Sequence, residues 1–207
     1  MTFTEEEIYN IYKLCYKTST SKGKIKQHTL NQTVVDSITR ENEDNVTFKK
    51  ESKINCNWGK NFKVDVLKYK NDLLKEIILI KAPASSVGKN HVNSLNNLAG
   101  EFQRIKASFY EGVKIVQINF IPNVTPLFSD KEKIKDFEKN KSFFITENGI
   151  LCYLDIQQIN VTFNINGIEN CETKMDIHNL FINNNPITNI VVETSDYISN
   201  VKEKNKR

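Results

Sequence analysis

The run FKVDVLKYKNDLLKEIILIK, Phe62 to Lys81, decides the reading of this chain. Phe62, Val64 and Val66 alternate with Lys63, Asp65 and Leu67, the pattern of a half-buried strand. Lys70, Asn71 and Asp72 are turn residues. Ile77, Ile78, Leu79 and Ile80 then form an apolar, β-branched run that suits a central strand covered on both faces. Lys81 ends that run and Pro83 stops it. A charge at the end of a buried strand is costly without a partner. Asp65, the lone acid of the neighbouring strand, is the natural one. The plain alternative is a cross-strand salt bridge worth about 0.2–1 kcal/mol.

Outward from this hairpin the pattern stays mixed. Upstream, a helix is expected near Leu30 to Glu41, with Val34, Val35 and Ile38 inward, and a strand near Asn45 to Trp58. Downstream, the polar loop Ala82 to Asn90 leads into a helix near Lys89 to Ile105, and a strand follows at Val113 to Pro122. On that second helix Asn90, Ser94, Asn97, Glu101 and Arg104 fall at steps of four and three, a polar stripe beside the apolar stripe Val92, Leu95, Leu98, Phe102 and Ile105.

This order of helix, three strands, helix and strand, with an acid in the second strand and a lysine ending the third, resembles the PD-(D/E)XK nuclease superfamily, its type II restriction endonucleases most of all. The resemblance covers residues 30 to 122. It implies a restriction-endonuclease-like core, a central mixed sheet flanked by helices, and Mg²⁺-dependent hydrolysis of double-stranded DNA by a homodimer. Asp65 matches the family's metal-binding aspartate and Lys81 the lysine of its tripeptide. Leu79 stands where that tripeptide has an acid. Glu76 faces the other way, because strand side chains alternate. Some relatives carry the acid on the following helix, which makes Glu101 the candidate second metal ligand. The alternative for Glu101 is a helix-face acid paired with Arg104 or Lys106. Asp36 or Glu41 on the earlier helix is a further choice.

Mg²⁺ prefers carboxylate and water oxygens. Ser85, Ser86, Lys89 and Asn90, helped by a helix N-terminus, and Arg104 are candidate contacts to DNA phosphates. Ordinary capping and turn chemistry explains the loop equally well. It lacks the spaced glycines of a P-loop. His28, His91 and His178 are scattered and form no readable triad.

Thr4 followed by Glu5, Glu6 and Glu7 signals a first helix with Ile8, Ile11, Tyr12 and Cys15 inward, and Ser19 to Lys24 reads as a loop. Beyond the core, Asn123 to Pro126 reads as a break and Lys131 to Lys141 as a charged helix. A hairpin of Ser142–Thr146 and Ile150–Ile156 follows, then strands at Ile159–Ile165, Met175–Ile182 and Ile187–Val192, and a short element near Asp196–Val201. The expected fold class is therefore mixed α/β, one domain over 1–207, with a β-rich C-terminal elaboration over about 142–201.

The 207 residues and 39% apolar content suffice for one core. No run of about 18 apolar residues exists, so no membrane span is expected. The acidic N-terminus has no apolar signal region, and Cys15, Cys56, Cys152 and Cys171 form no C-x-x-C pair. A cytoplasmic protein with reduced thiols and no zinc site is the expectation. The net charge of +4 permits a nucleic-acid partner without demanding one. Two further readings stay open: a nuclease-derived module that binds DNA or protein without cutting, and an unrelated α/β interaction or immunity protein in which Asp65 and Lys81 are a plain salt bridge.

Overall fold

A computed structural model describes residues 1–17, 22–41, 44–55, 61–108, 112–129, 132–140 and 156–196; for 22–24, 88–96, 98 and 195–196 it describes the backbone only. The chain is a mixed α/β protein built on a six-stranded mixed sheet with helices on both faces. The strands are β1 (Val46–Ile54), β2 (Phe62–Lys70), β3 (Leu73–Lys81), β4 (Lys114–Pro122), β7 (Ile156–Ile165) and β8 (Ile187–Asp196), in the spatial order β1-β2-β3-β4-β7-β8. Pairs β1/β2, β2/β3 and β7/β8 are antiparallel; β3/β4 and β4/β7 are parallel. Parallel neighbours need a crossover. Between β3 and β4 it is helix α3 (Val87–Lys106). Two strands, β5 (Val124–Phe128) and β6 (Ile134–Lys139), form a separate antiparallel ribbon.

The β2–β3 hairpin closes as its turn residues require. Asn71 and Asp72 take φ of 51° and 61°, the left-handed pair of a type I′ turn, which Asn and Asp tolerate. Ile77 to Ile80 are buried on both faces. Ile77 and Leu79 pack under α3 with Phe102 and Ile105. Ile78 and Ile80 face the other layer. That layer holds α1 (Glu5–Tyr16), α2 (Lys22–Thr39) and α4 (Lys174–Asn183). A capping box between Thr4 and Glu7 starts α1, and Ile8, Ile11, Tyr12 and Tyr16 are its buried stripe.

Several expectations fail here, each to tertiary context. The alternation expected to put Phe62, Val64 and Val66 on one face slips at Asp65. Val64 joins the α3 side, Val66 the opposite side and Leu67 the α3 side again. Helix α2 begins at Lys22, inside the segment expected to be loop. Strand β1 ends at Ile54. Residues 132–140 hold a strand in place of the expected charged helix: the neighbouring β5 offers a ladder, and Ile134 and Phe137 reach the main core. Strand β5 likewise resumes at Val124, within the expected break. Residues 174–183 are helical where a strand was expected. Thr173 and Asp176 form a capping box, and Ile177 and Phe181, four apart, are its buried face. The hairpin expected over Ser142–Ile156 and the element expected near Asp196–Val201 lie outside the described residues except at their edges, where Ile156 opens β7 and Asp196 ends β8.

One contact set fixes the loop after β3. Lys26 Nζ donates to Ala82 O at 2.9 Å, Tyr12 Oη to Pro83 O at 2.9 Å, and Tyr16 Oη to Ala84 O at 2.7 Å. Tyr12 Oη also lies 2.8 Å from Phe120 O in β4. Three successive carbonyls of a connection are thus satisfied by two helices, as buried backbone demands. Tyr12→Phe should lower the unfolding free energy by about 1–3 kcal/mol, since it strands acceptors inside the core. Denaturant unfolding checks this; an unchanged midpoint would show that the tyrosine does not hold the loop.

Candidate functional site

The slip at Asp65 has a local cause. Backbone pairing between β2 and β3 runs to Val66–Ile78 and stops there. Beyond it the Ile80 amide is taken by a side chain: Asp65 Oδ2 accepts from Ile80 N at 2.7 Å. The aspartate therefore stands in for a rung of the ladder. Its other oxygen, Oδ1, accepts from Gln27 Nε2 of α2 at 2.8 Å. Gln27 Nε2 also donates to Asn31 Oδ1 at 2.9 Å. Asn31 is fully buried, and its Nδ2 has no hydrogen-bond partner. Gln27 and Asn31 are one helical turn apart, so both face the sheet from α2.

Lys81 lies at the open end of the same split. Its Nζ is 3.5 Å from Glu101 Oε2 on α3. Residues 82–86 carry the chain toward β5, where Ser86 N donates to Pro126 O at 3.3 Å, before α3 turns back over the sheet. That detour brings Glu101 level with the strand end although it lies deep in the helix. Glu101 thus pairs with Lys81, not with Arg104 or Lys106. About a quarter of its side chain is exposed, against nearly half for Lys81. Of the three groups singled out in the sequence, Lys81 and Glu101 pair directly, and both act on Asp65 through their charge.

Burial raises the Asp65 pKa above the ordinary carboxylate value. The Ile80 amide and the Lys81 charge pull it back, and the Glu101 charge pushes it up again. Burial wins, so the site holds a carboxylate whose charge is incompletely compensated.

The other candidates separate. Leu79 is buried among Phe102 and Ile105. Glu76 pairs with Lys68. Asp36 accepts from Gln32, and Glu41 binds the amino terminus. Ser85 and Ser86 are half-buried on the loop, Ser86 in left-handed backbone as the residue before α3. Arg104 is exposed one turn beyond Glu101. The side chains of Lys89, Asn90 and His91 lie outside the described residues. His28 is exposed on α2, next in sequence to Gln27, and His178 is half-buried on α4. Cys15 and Cys171 are free thiols.

Sequence reasoning missed Gln27 and Asn31. A helix beginning near Leu30 excludes Gln27, and a neutral amide carries no signal of its own. It also missed the amides beside Lys81. The parallel register sets Lys81 opposite Asn119 and Asn119 opposite Asn160.

No group of three or more His, Cys, Asp or Glu side chains suited to a metal occurs among the described residues. Glu101 pairs with Lys81, and the charges of both reach Asp65, so two carboxylates act in this region. Such a pair fits Mg²⁺, which keeps several waters and binds through one or two carboxylates. No described helix is long and apolar enough to cross a membrane. Comparison with protein-family models, with curated proteins and with solved structures gives no match in any of the three.

The raised pKa fixes a sign. A group that holds its proton more tightly when folded stabilises the fold fully below its unfolded pKa, and that stabilisation is lost as pH rises through the folded value. Without divalent cation, the stability of the wild type relative to Asp65→Asn should fall as pH climbs through and above the ordinary carboxylate range. Chemical denaturation at several pH values reads this difference; one that stays flat would contradict the burial argument.

Proposed function

We propose that this chain is a Mg²⁺-dependent endonuclease of the PD-(D/E)XK kind, hydrolysing double-stranded DNA as a cytoplasmic type II restriction enzyme. The observation that supports this reading is the convergence of Asp65, Lys81 and Glu101 where β2 and β3 part. Strand, strand and crossover helix each contribute one group, as the resemblance implies.

In this reading Asp65 and Glu101 hold the cation. Bound Mg²⁺ would lower the pKa of a water and neutralise charge on the phosphate oxygens. Asp65 is held rigidly by Ile80 N and Gln27, so it presents its remaining lone pairs without reorganising. Lys81, half exposed, draws the scissile phosphate and offsets its growing negative charge. Its 3.5 Å separation from Glu101 is loose for an ion pair, which leaves the ammonium free to engage a phosphate. Ser85, Ser86, Lys89, Asn90 and Arg104 serve as contacts along the DNA backbone. One site cuts one strand, so a two-fold homodimer supplies the second.

The burial of Leu79 favours one competing reading: a nuclease-fold module that binds DNA or protein without hydrolysing DNA.

Plasmid and phage DNA incubated with the protein and Mg²⁺ or Mn²⁺ should yield discrete fragments. Asp65→Ala, Lys81→Ala and Glu101→Ala should each reduce cleavage by about 100-fold or more. Salt-sensitive DNA binding without cleavage by the wild type would transfer the conclusion to the binding module. Loss of neither binding nor cutting in all three variants would remove these residues from the site.

A further inference from the structure

The face of the sheet that carries Lys81 continues across β4 and β7 as a file of amides. Lys81 is in register with Asn119, and Asn119 with Asn160. Gln117 and Gln158 form the next row down, level with Leu79. Below them Ile115 and Ile156 join the α3 core. Side chains two apart on a strand share a face, so all four amides lie on the Lys81 side.

The amides are chained. Gln117 Nε2 donates to Asn119 Oδ1 at 2.8 Å, and Asn119 Nδ2 donates to Asn160 Oδ1 at 2.9 Å. Gln158 Nε2 approaches the same Asn160 oxygen at 3.5 Å. Gln117 and Asn160 are fully buried, yet Gln117 Oε1 and Asn160 Nδ2 have no hydrogen-bond partner. Apolar residues would fill these positions without stranding polar atoms. Asn119 is half exposed and sits beside Lys81. One of its two amide hydrogens goes to Asn160; no bond of the other to a described residue is present.

We infer that Asn119 is a substrate-contacting residue: its carboxamide, clamped by Gln117 and Asn160, donates its remaining amide hydrogen to an anionic phosphate oxygen drawn to Lys81. This rests on the nuclease reading and adds to it a neutral donor from β4. The clamp fixes the rotamer, so the donor is oriented before substrate arrives. Because the group is uncharged, it discriminates by position, while Lys81 supplies the long-range attraction.

The test uses the whole ¹⁵N-labelled protein and a short DNA duplex without divalent metal, so that nothing is cut. A mobility shift reports duplex binding, and the Asn119 side-chain amide resonance reports contact. The resonance should move on binding in the wild type and move less in Lys81→Ala. With Mg²⁺, Asn119→Ala should lose about 10- to 100-fold in kcat/KM. Asn119→Asp keeps the acceptor for Gln117 but repels phosphate, and should lose more. A duplex that binds while the Asn119 resonance stays still overturns this inference and leaves the nuclease reading standing. No duplex binding overturns both. The resonance measurement needs no substitution, so it decides even where Asn119→Ala folds poorly.

Discussion

The hydrogen bond from Ile80 N to Asp65 Oδ2 is the constraint on which the site depends. A backbone amide in the middle of a sheet must find an acceptor. In an unbroken β2–β3 ladder that acceptor would be a carbonyl, and the two strands would stay side by side to their ends. Here pairing stops at Val66–Ile78. The carboxylate that replaces the carbonyl lets the strands part without orphaning the amide, and the gap between them admits Gln27 from one layer and Lys81 and Glu101 from the other. Backbone satisfaction, the face switch between Val64 and Leu67, and the gathering of charge are thus one event.

Around that event the structure spends polar side chains on rigidity. Lys26, Tyr12 and Tyr16 bind the carbonyls of Ala82, Pro83 and Ala84. The tyrosines are fully buried, and burial holds their pKa well above the ordinary value, so they act as permanent donors. The connection from β3 to α3 therefore leaves the sheet along one fixed path. That path sets where along α3 the chain comes back over Lys81, and so why Glu101 faces the lysine.

What the sequence disclosed is what local pattern controls. The apolar run Ile77–Ile80, the Asn71-Asp72 turn, the Thr4–Glu7 cap and the stripe holding Phe102 and Ile105 are each set by neighbours a few residues away, and each sits where expected. Asp65 and Lys81 were singled out by strand position, but Glu101 entered only as one of several acids, because its pairing with Lys81 depends on the path of the 82–86 connection. Segments whose state depends on a distant partner were not legible. Lys133 to Lys139 has helix-forming residues, but β5 offers a ladder and the core accepts Phe137. Thr173 to Phe181 carries a cap and an i, i+4 apolar pair inside a β-branched context that hid them. Gln27, Asn31, Gln117, Asn119 and Asn160 give no periodic or charged signal. Their importance exists only once α2, β3, β4 and β7 are side by side.

Leu79 poses the sharpest question for chemistry at this site, and packing answers part of it. A carboxylate at that position would sit among Ile77, Phe102 and Ile105, dry and without a donor. Its row neighbour on β4, Gln117, already donates to Asn119. An ionised acid there would bear the full cost of burial, and a protonated one would be a poor ligand. With α3 packed this way, an acid that is to stay charged beside Lys81 has to come from a surface that water still reaches. Glu101, on the helix flank and partly exposed, meets that condition; Leu79 instead seals the apolar floor that holds α3 in place. Helix α3 thus buries Leu79 beneath it and carries Glu101 on its partly exposed flank.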